Sequence, residues 1–128
     1  MTNTTTTPTD VTTVVDTYLA SLHETDAAKR ADLVAAAWAP EGRFVDPLQD
    51  AKGHAALAEI APAVHELYPG ATFRRLSGVD DHHGYIRFAW DLVAEDGSVV
   101  VAGIDVGQVG DDGKLLGIVG FFGDPPEA

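Results

Sequence analysis

The hydrophobic pattern changes period once along the chain, at Pro69-Gly70, and this switch restricts the possible folds more than any other feature. Before it, apolar residues recur at helical spacing; after it, they alternate. Val11, Val14, Val15, Tyr18, Leu19 and Leu22 fall at i, i+3, i+4, i+7, i+8 and i+11, one helical stripe that Asp10 is placed to cap. Asp26 caps a second predicted helix through Leu33, Val34, Ala37 and Trp38, which Pro40 and Gly42 stop. A short strand, Arg43 to Asp46, ends at Pro47 and puts Phe44 and Asp46 on one face. Gly53 precedes a third helix carrying Leu57, Ile60, Ala61, Val64, Leu67 and Tyr68, in which Pro62 predicts a kink or a break near Ala61.

Beyond the switch, residues 72–79, 85–94, 99–109 and 115–122 read as strands. Turns at Glu95-Asp96-Gly97 and at 110–113 separate the last three. The order α-α-β-α-β-β-β-β predicts an α+β domain, because a late antiparallel sheet must cover its apolar face and three early amphipathic helices can do so. Glycines at 103, 107, 117 and 120 allow the sheet, mixed at its edge, to curl into a cone around those helices. One domain is expected over residues 10–123, between a disordered Thr-rich tail (1–9) and a loose tail (124–128).

Composition narrows the function classes. Eight Lys plus Arg stand against 20 Asp plus Glu, a formal charge of −12 over 128 residues. Such a field repels phosphate backbones and anionic lipid, so neither nucleic acid nor a membrane surface is an expected partner. Cysteine is absent, which excludes thiol nucleophiles and thiolate metal sites. No apolar stretch approaches the ~20 residues that span a bilayer, and no secretory leader pattern opens the chain, so a cytoplasmic protein is expected.

Three polar residues sit where a plain core would hold something else. Tyr18 lies on the apolar stripe of the first helix, Asp46 follows Phe44-Val45, and Asp105 interrupts the most apolar run, Val99 to Val106. A buried carboxyl finds donors or keeps its proton. Each has a plainer reading: Tyr18 as core, Asp46-Pro47 as turn chemistry, Asp105 as a solvent-facing residue of the outer sheet face. Between them, Asp80 to Trp90 carries two adjacent histidines. Strand parity groups His82 with Ile86, Phe88, Trp90 and Leu92 toward the core, and His83 with Tyr85, Arg87, Ala89 and Asp91 toward solvent or a partner. His82 is thereby a candidate acid–base group at a pocket mouth, or one of a plain hairpin pair. Adjacent strand histidines point oppositely and no His pair falls at i, i+4, so no metal site is expected.

Together these segments resemble the ketosteroid isomerase and SnoaL-like branch of the nuclear transport factor 2 superfamily, over Val14 to Phe122. Residues 15–22 resemble the first-helix segment whose tyrosine donates to an oxyanion, here Tyr18. Phe44-Val45-Asp46-Pro47 resembles the segment of the general base, here Asp46; Ala102-Gly103-Ile104-Asp105 resembles the strand of a protonated oxyanion-hole aspartate, here Asp105. The third helix departs from the isomerases, reading Ile60-Ala61-Pro62 where they often carry a further tyrosine. The resemblance implies a cofactor-free proton transfer beside a carbonyl group, on a small hydrophobic carbonyl or phenolic ligand. A SnoaL-like polyketide cyclisation and a non-catalytic ligand-binding module are the alternatives. Helix stripes, strand parity and these motifs together predict a pocket of Tyr18, Leu22, Trp38, Phe44, Asp46, Ile60, Val64, Trp90, Asp105, Ile118 and Phe122. A homodimer is expected, because helices can cover only one face of the sheet and the other carries Tyr85, Ala89 and Val93.

Overall fold

The computed structural model describes residues 10–128, so the predicted tail at 1–9 lies outside the described residues. Helix α1 (Val11–Ser21) begins at Asp10, whose carboxylate accepts from the Thr13 N–H. Helix α2 (Ala27–Ala37) begins at Asp26, which accepts from the Lys29 N–H. Both caps satisfy an amide that has no partner within its own helix.

Strand β1 (Trp38–Asp46) starts directly after α2, five residues earlier than predicted. Pro40 and Gly42 end the helix but lie inside the strand, in the stretch where its register with β7 slips. Gly42 is required there: a Cβ would stand 2.5 Å from the Trp38 ring. Strand β2 (Gln49–Lys52), which has no β-branched residue to announce it, pairs back on β1. The third predicted helix is two, α3 (His54–Ala58) and α4 (Ile60–Leu67), divided at Glu59 rather than at Ala61. Pro62 then falls in the first turn of α4, where a missing N–H costs nothing.

The predicted strand 72–79 is also two pieces, β3 (Thr72–Arg75) and β4 (Asp80–His82), both antiparallel to β5 (Tyr85–Val93). Between them the Ser77 hydroxyl replaces a backbone partner, accepting the Ala89 N–H at 2.9 Å. Strands β6 (Val99–Val109) and β7 (Leu115–Phe122) complete a sheet of order β2-β1-β7-β6-β5-β3. Among the described residues only β1 and β7 run parallel, so the sheet is mixed, as expected of this α+β fold.

The helices pack on one face. Val14, Val15, Leu19, Val34, Leu57, Ile60 and Val64 meet Ile86, Phe88, Leu92, Leu115 and Ile118, all buried. Each such side chain contributes about 1.5–3 kcal/mol. The other face stays open. Ile104 lies opposite Phe121 and Val106 opposite Val119, and all four are exposed.

Candidate active site

Asp46 and Asp105 reach one another over the strand that lies between them. β1 and β6 both flank β7, where Gly120 is the cross-strand partner of Asp105 and follows Val119, the partner of Val45. A Cβ on Gly120 would stand 2.8 Å from Asp105 Oδ1 and 3.3 Å from Asp46 Cβ. Glycine at this position is what lets both carboxyl groups occupy the inner face. Helix α1 lowers Tyr18 onto them, and its hydroxyl donates to Asp105 Oδ2 at 3.4 Å. On the opposite side the Trp90 indole N–H donates to Asp105 Oδ1 at 2.9 Å.

Asp105 is only 3% exposed. Lost hydration pushes its carboxyl up to about 7; the Trp90 and Tyr18 hydrogen bonds oppose the rise, and the Asp46 charge adds to it. Burial, followed by the charges of Asp105 and Asp46, also holds the Tyr18 phenol well above its usual value, so it keeps its proton. Asp46 plays two parts. Its Oδ1 accepts the N–H groups of Leu48 and Gln49 at 2.8 and 2.9 Å and closes the turn into β2. Its Oδ2 has no hydrogen-bond partner among the described residues. Partial burial raises its pKa, against the pull of the two turn amides.

Two adjoining cavities open beside these groups. A recess of about 30 Å³ touches Tyr18, Asp46 and Asp105, with Leu22, Phe44 and Ile60 around them. That is room for a small polar group such as a water molecule or a carbonyl oxygen. A cavity of about 650 Å³ lies outside it, bounded by apolar residues of α4 and the inner sheet face together with Gln49, Asp50 and Tyr68. Asp46, Gln49, Val64, Phe73 and Trp90 line both. Among the described residues, no Lys, Arg or His lines either cavity.

The structure brings most of the predicted pocket together but not all. Phe122 lines the outer cavity alone. Trp38 and Ile118 line neither. Trp38 sits behind Tyr18, edge-on at 5.6 Å, and Ile118 is one inward position below Gly120, opposite Phe44. Both are walls behind the lining. His82 is not at the pocket mouth. It is exposed and borders a separate depression with Asp80, Tyr85 and Arg87. The reason is a turn that strand parity overlooked: His83 and Gly84 both have positive φ, which makes a tight hairpin and places the two histidine Nδ1 atoms 3.1 Å apart. Among the described residues no group of three or more His, Cys, Asp or Glu is placed to hold a metal ion. Asp91, assigned to the solvated side, is covered by Arg74. Phe73 and Gln49 are lining residues the sequence did not announce. Only the register of β3 on β5, with Phe73 opposite Leu92, and the unanticipated strand β2 turn them inward.

Comparison with known proteins supports the architecture. No protein-family model and no curated protein matches the chain. Among solved structures, a candidate isomerase of the SnoaL-like family from Agrobacterium tumefaciens is 36% identical, with a TM-score of 0.81, over 88% of this chain and 96% of that one. An NTF2-like protein of unknown function from Exiguobacterium superposes with a TM-score of 0.68 at 21% identity, over 88% and 99% of the two chains. A candidate polyketide cyclase from Sinorhizobium meliloti gives 0.65 at 14%, over 84% and 93%. Among the described residues no helix is long and apolar enough to cross a membrane. The fold, its curved mixed sheet and the identity to the Agrobacterium protein agree: this chain belongs to the SnoaL-like family.

Proposed function

We propose that the chain is a cofactor-free acid–base enzyme acting on a neutral, apolar carbonyl compound. The observation that carries this reading is the convergence of Asp46, whose Oδ2 has no hydrogen-bond partner among the described residues, with Tyr18 and Asp105 on one small recess; burial of Asp105 favours its protonated, donating form. Asp46 takes a proton from the carbon alpha to the carbonyl. The C–H electron pair forms the enolate double bond, and the carbonyl π pair moves to oxygen, where Tyr18 and Asp105 stabilise it. Return of the proton from Asp46 to the far carbon of a conjugated enolate completes an allylic shift, with no electrons gained or lost. The body of the substrate fills the outer cavity, whose volume suits a compound of two or three rings. Among the described residues its lining offers no cation to pair with a carboxylate or phosphate, which favours an uncharged substrate.

A second reading shares the first step. In a cyclase the enolate carbon attacks a second carbonyl of the same molecule, and the new alkoxide takes the proton held by Asp46. The Sinorhizobium neighbour's description as a candidate polyketide cyclase supports keeping it. In either reading the chain works as a homodimer through the open sheet face, where Ile104, Val106, Val119 and Phe121 form an exposed apolar patch.

The test uses 3-cyclohexenone in D2O, followed by proton NMR, alongside binding of 2-naphthol. The expected result is catalysed exchange and double-bond migration, lost in Asp46→Asn while naphthol binding persists. Tight naphthol binding with no exchange or cyclisation of any offered ketone would make the chain a ligand-binding module instead.

A further inference from the structure

We propose that Trp90 is a positioning residue of the oxyanion site: its indole N–H, laid across Gly103, occupies Oδ1 of Asp105 and thereby confines the carboxyl proton to Oδ2, the oxygen beside the Tyr18 hydroxyl. The assignment rests on the acid–base reading of the site and adds to it the group that sets which oxygen donates.

The geometry begins with strand register. Trp90 pairs with Gly103 and Phe88 with Asp105, so Asp105 is the diagonal neighbour of Trp90 on the inner face. A ring as large as indole can lie along β6 toward that neighbour only if the residue directly opposite has no side chain. A Cβ on Gly103 would stand 2.7 Å from Trp90 Cζ2. Two further rings hold the indole edge-on, Phe73 at 5.7 Å and Phe122 at 5.8 Å. The N–H therefore has one direction to point, and Asp105 Oδ1 is 2.9 Å along it.

An indole nitrogen donates and never accepts. Oδ1 must be the acceptor in that bond, so a neutral Asp105 carries its proton on Oδ2. Oδ1 also lies against β7, where a Cβ on Gly120 would stand 2.8 Å from it. Oδ2 instead faces the Tyr18 hydroxyl at 3.4 Å, longer than an ordinary O–H···O bond. A carbonyl oxygen entering the recess can replace that loose contact and accept from both groups. Without the indole, the proton has two oxygens to choose from, one of them facing away from the substrate.

The experiment is a mutant cycle of Trp90→Phe, which keeps a ring and loses the donor, with Asp105→Leu, read by 2-naphthol affinity across pH 5 to 9. β-Benzothienylalanine incorporated at position 90, which keeps the indole shape without the N–H, gives the same readout with packing preserved. In the wild type, affinity should fall as pH rises through about 7, where Asp105 loses its proton. Loss of the indole N–H should weaken binding at pH 6 by about tenfold. It should also move that fall to higher pH, because a bond favouring the ionised carboxyl has been removed. In the Asp105→Leu background the same change should have no further effect. An unmoved pH profile, or equal weakening with and without Asp105, would overturn the assignment and leave Trp90 as a wall. If Asp105→Leu itself leaves naphthol affinity and its pH profile unchanged, the acid–base reading fails, and Trp90 falls with it.

Discussion

Asp91 and Asp105 sit on adjacent strands, face opposite sides of the same sheet, and are almost equally hidden from solvent, at 4% and 3% exposure. Their chemistry diverges. Asp91 is capped by Arg74, its cross-strand partner, through two bonds of 2.8 and 2.6 Å, and the guanidinium holds the carboxyl below its usual range. Arg74 is itself half in water, so this ion pair is thinly covered. Asp105 has depth and, among the described residues, no cation beside it. Two neutral donors and a neighbouring carboxylate surround it, and its pKa goes up. Loss of contact with water does not decide the charge of a carboxyl. The partner decides it, together with how far away the solvent lies.

Activity separates the two carboxyl groups most. Asp105→Leu should lower proton exchange by about 10²–10³-fold, the scale for losing one oxyanion donor. Asp91→Asn should leave it unchanged, since Arg74 and Asp91 lie on the far face. Equal losses in the two variants, measured by the same exchange assay, would mean that Asp105 acts only through the fold.

Stability against pH comes next. The folded pKa of Asp105 is raised, so folding favours its protonated form. Its unfavourable contribution is absent below about pH 4, grows as pH rises toward 7 and is complete above that. Asp105→Asn, neutral at every pH and able to keep both neighbours bonded, should be more stable than wild type at pH 8 by on the order of 2 kcal/mol. The advantage should vanish near pH 4. The folded pKa of Asp91 is depressed, so its favourable contribution is present above the unfolded value and lost as pH falls through the acid range. Arg74→Met should therefore lower the melting temperature at pH 7 and not at pH 3. Melting curves of both variants over pH 3 to 8 check the two opposite signs.

The smallest effect concerns a histidine behind the cavity lining, just past the end of α1. His23 accepts the Phe73 N–H through Nε2 at 2.8 Å, which ties the end of α1 to β3 and requires a neutral ring. Burial and then the nearby His65 lower its pKa below 6.5. Its contribution is present above about pH 6.5 and is lost as pH falls below that value. His23→Gln, an acceptor that does not titrate, should flatten the stability profile between pH 7 and 5. An unchanged slope would show that the bond carries no linkage.

Local pattern made the helices and long strands readable. The α1 stripe, both aspartate caps and the extents of β6 and β7 follow from residues within a turn or a strand of one another. What could not be read depends on contacts between distant segments. Asp91 was legible as outward-facing but not as covered, because its partner sits on β3, and only the pairing of Arg74 with Asp91 brings them together. His82 was misplaced because His83 adopts a positive φ, which strand parity excludes. Tyr18, Asp46 and Asp105 were legible as misfits in apolar surroundings. That Gly120 would let two of them meet, and that Gly103 would admit the Trp90 ring, required the register of three strands.

Burial without a cation favours a protonated carboxyl at Asp105, on the inner face, whereas Arg74 favours an ionised one at the equally hidden Asp91 on the outer face. Carbon-13 NMR of aspartate side-chain carboxyls, assigned with Asp105→Asn and Asp91→Asn, follows both groups in one titration of the wild-type chain. The account predicts that Asp105 titrates near pH 7 and that Asp91 stays ionised to below the usual aspartate range. An Asp105 resonance that titrates at or below pH 4 would contradict it, because an ionised carboxylate in that recess repels an enolate instead of stabilising it.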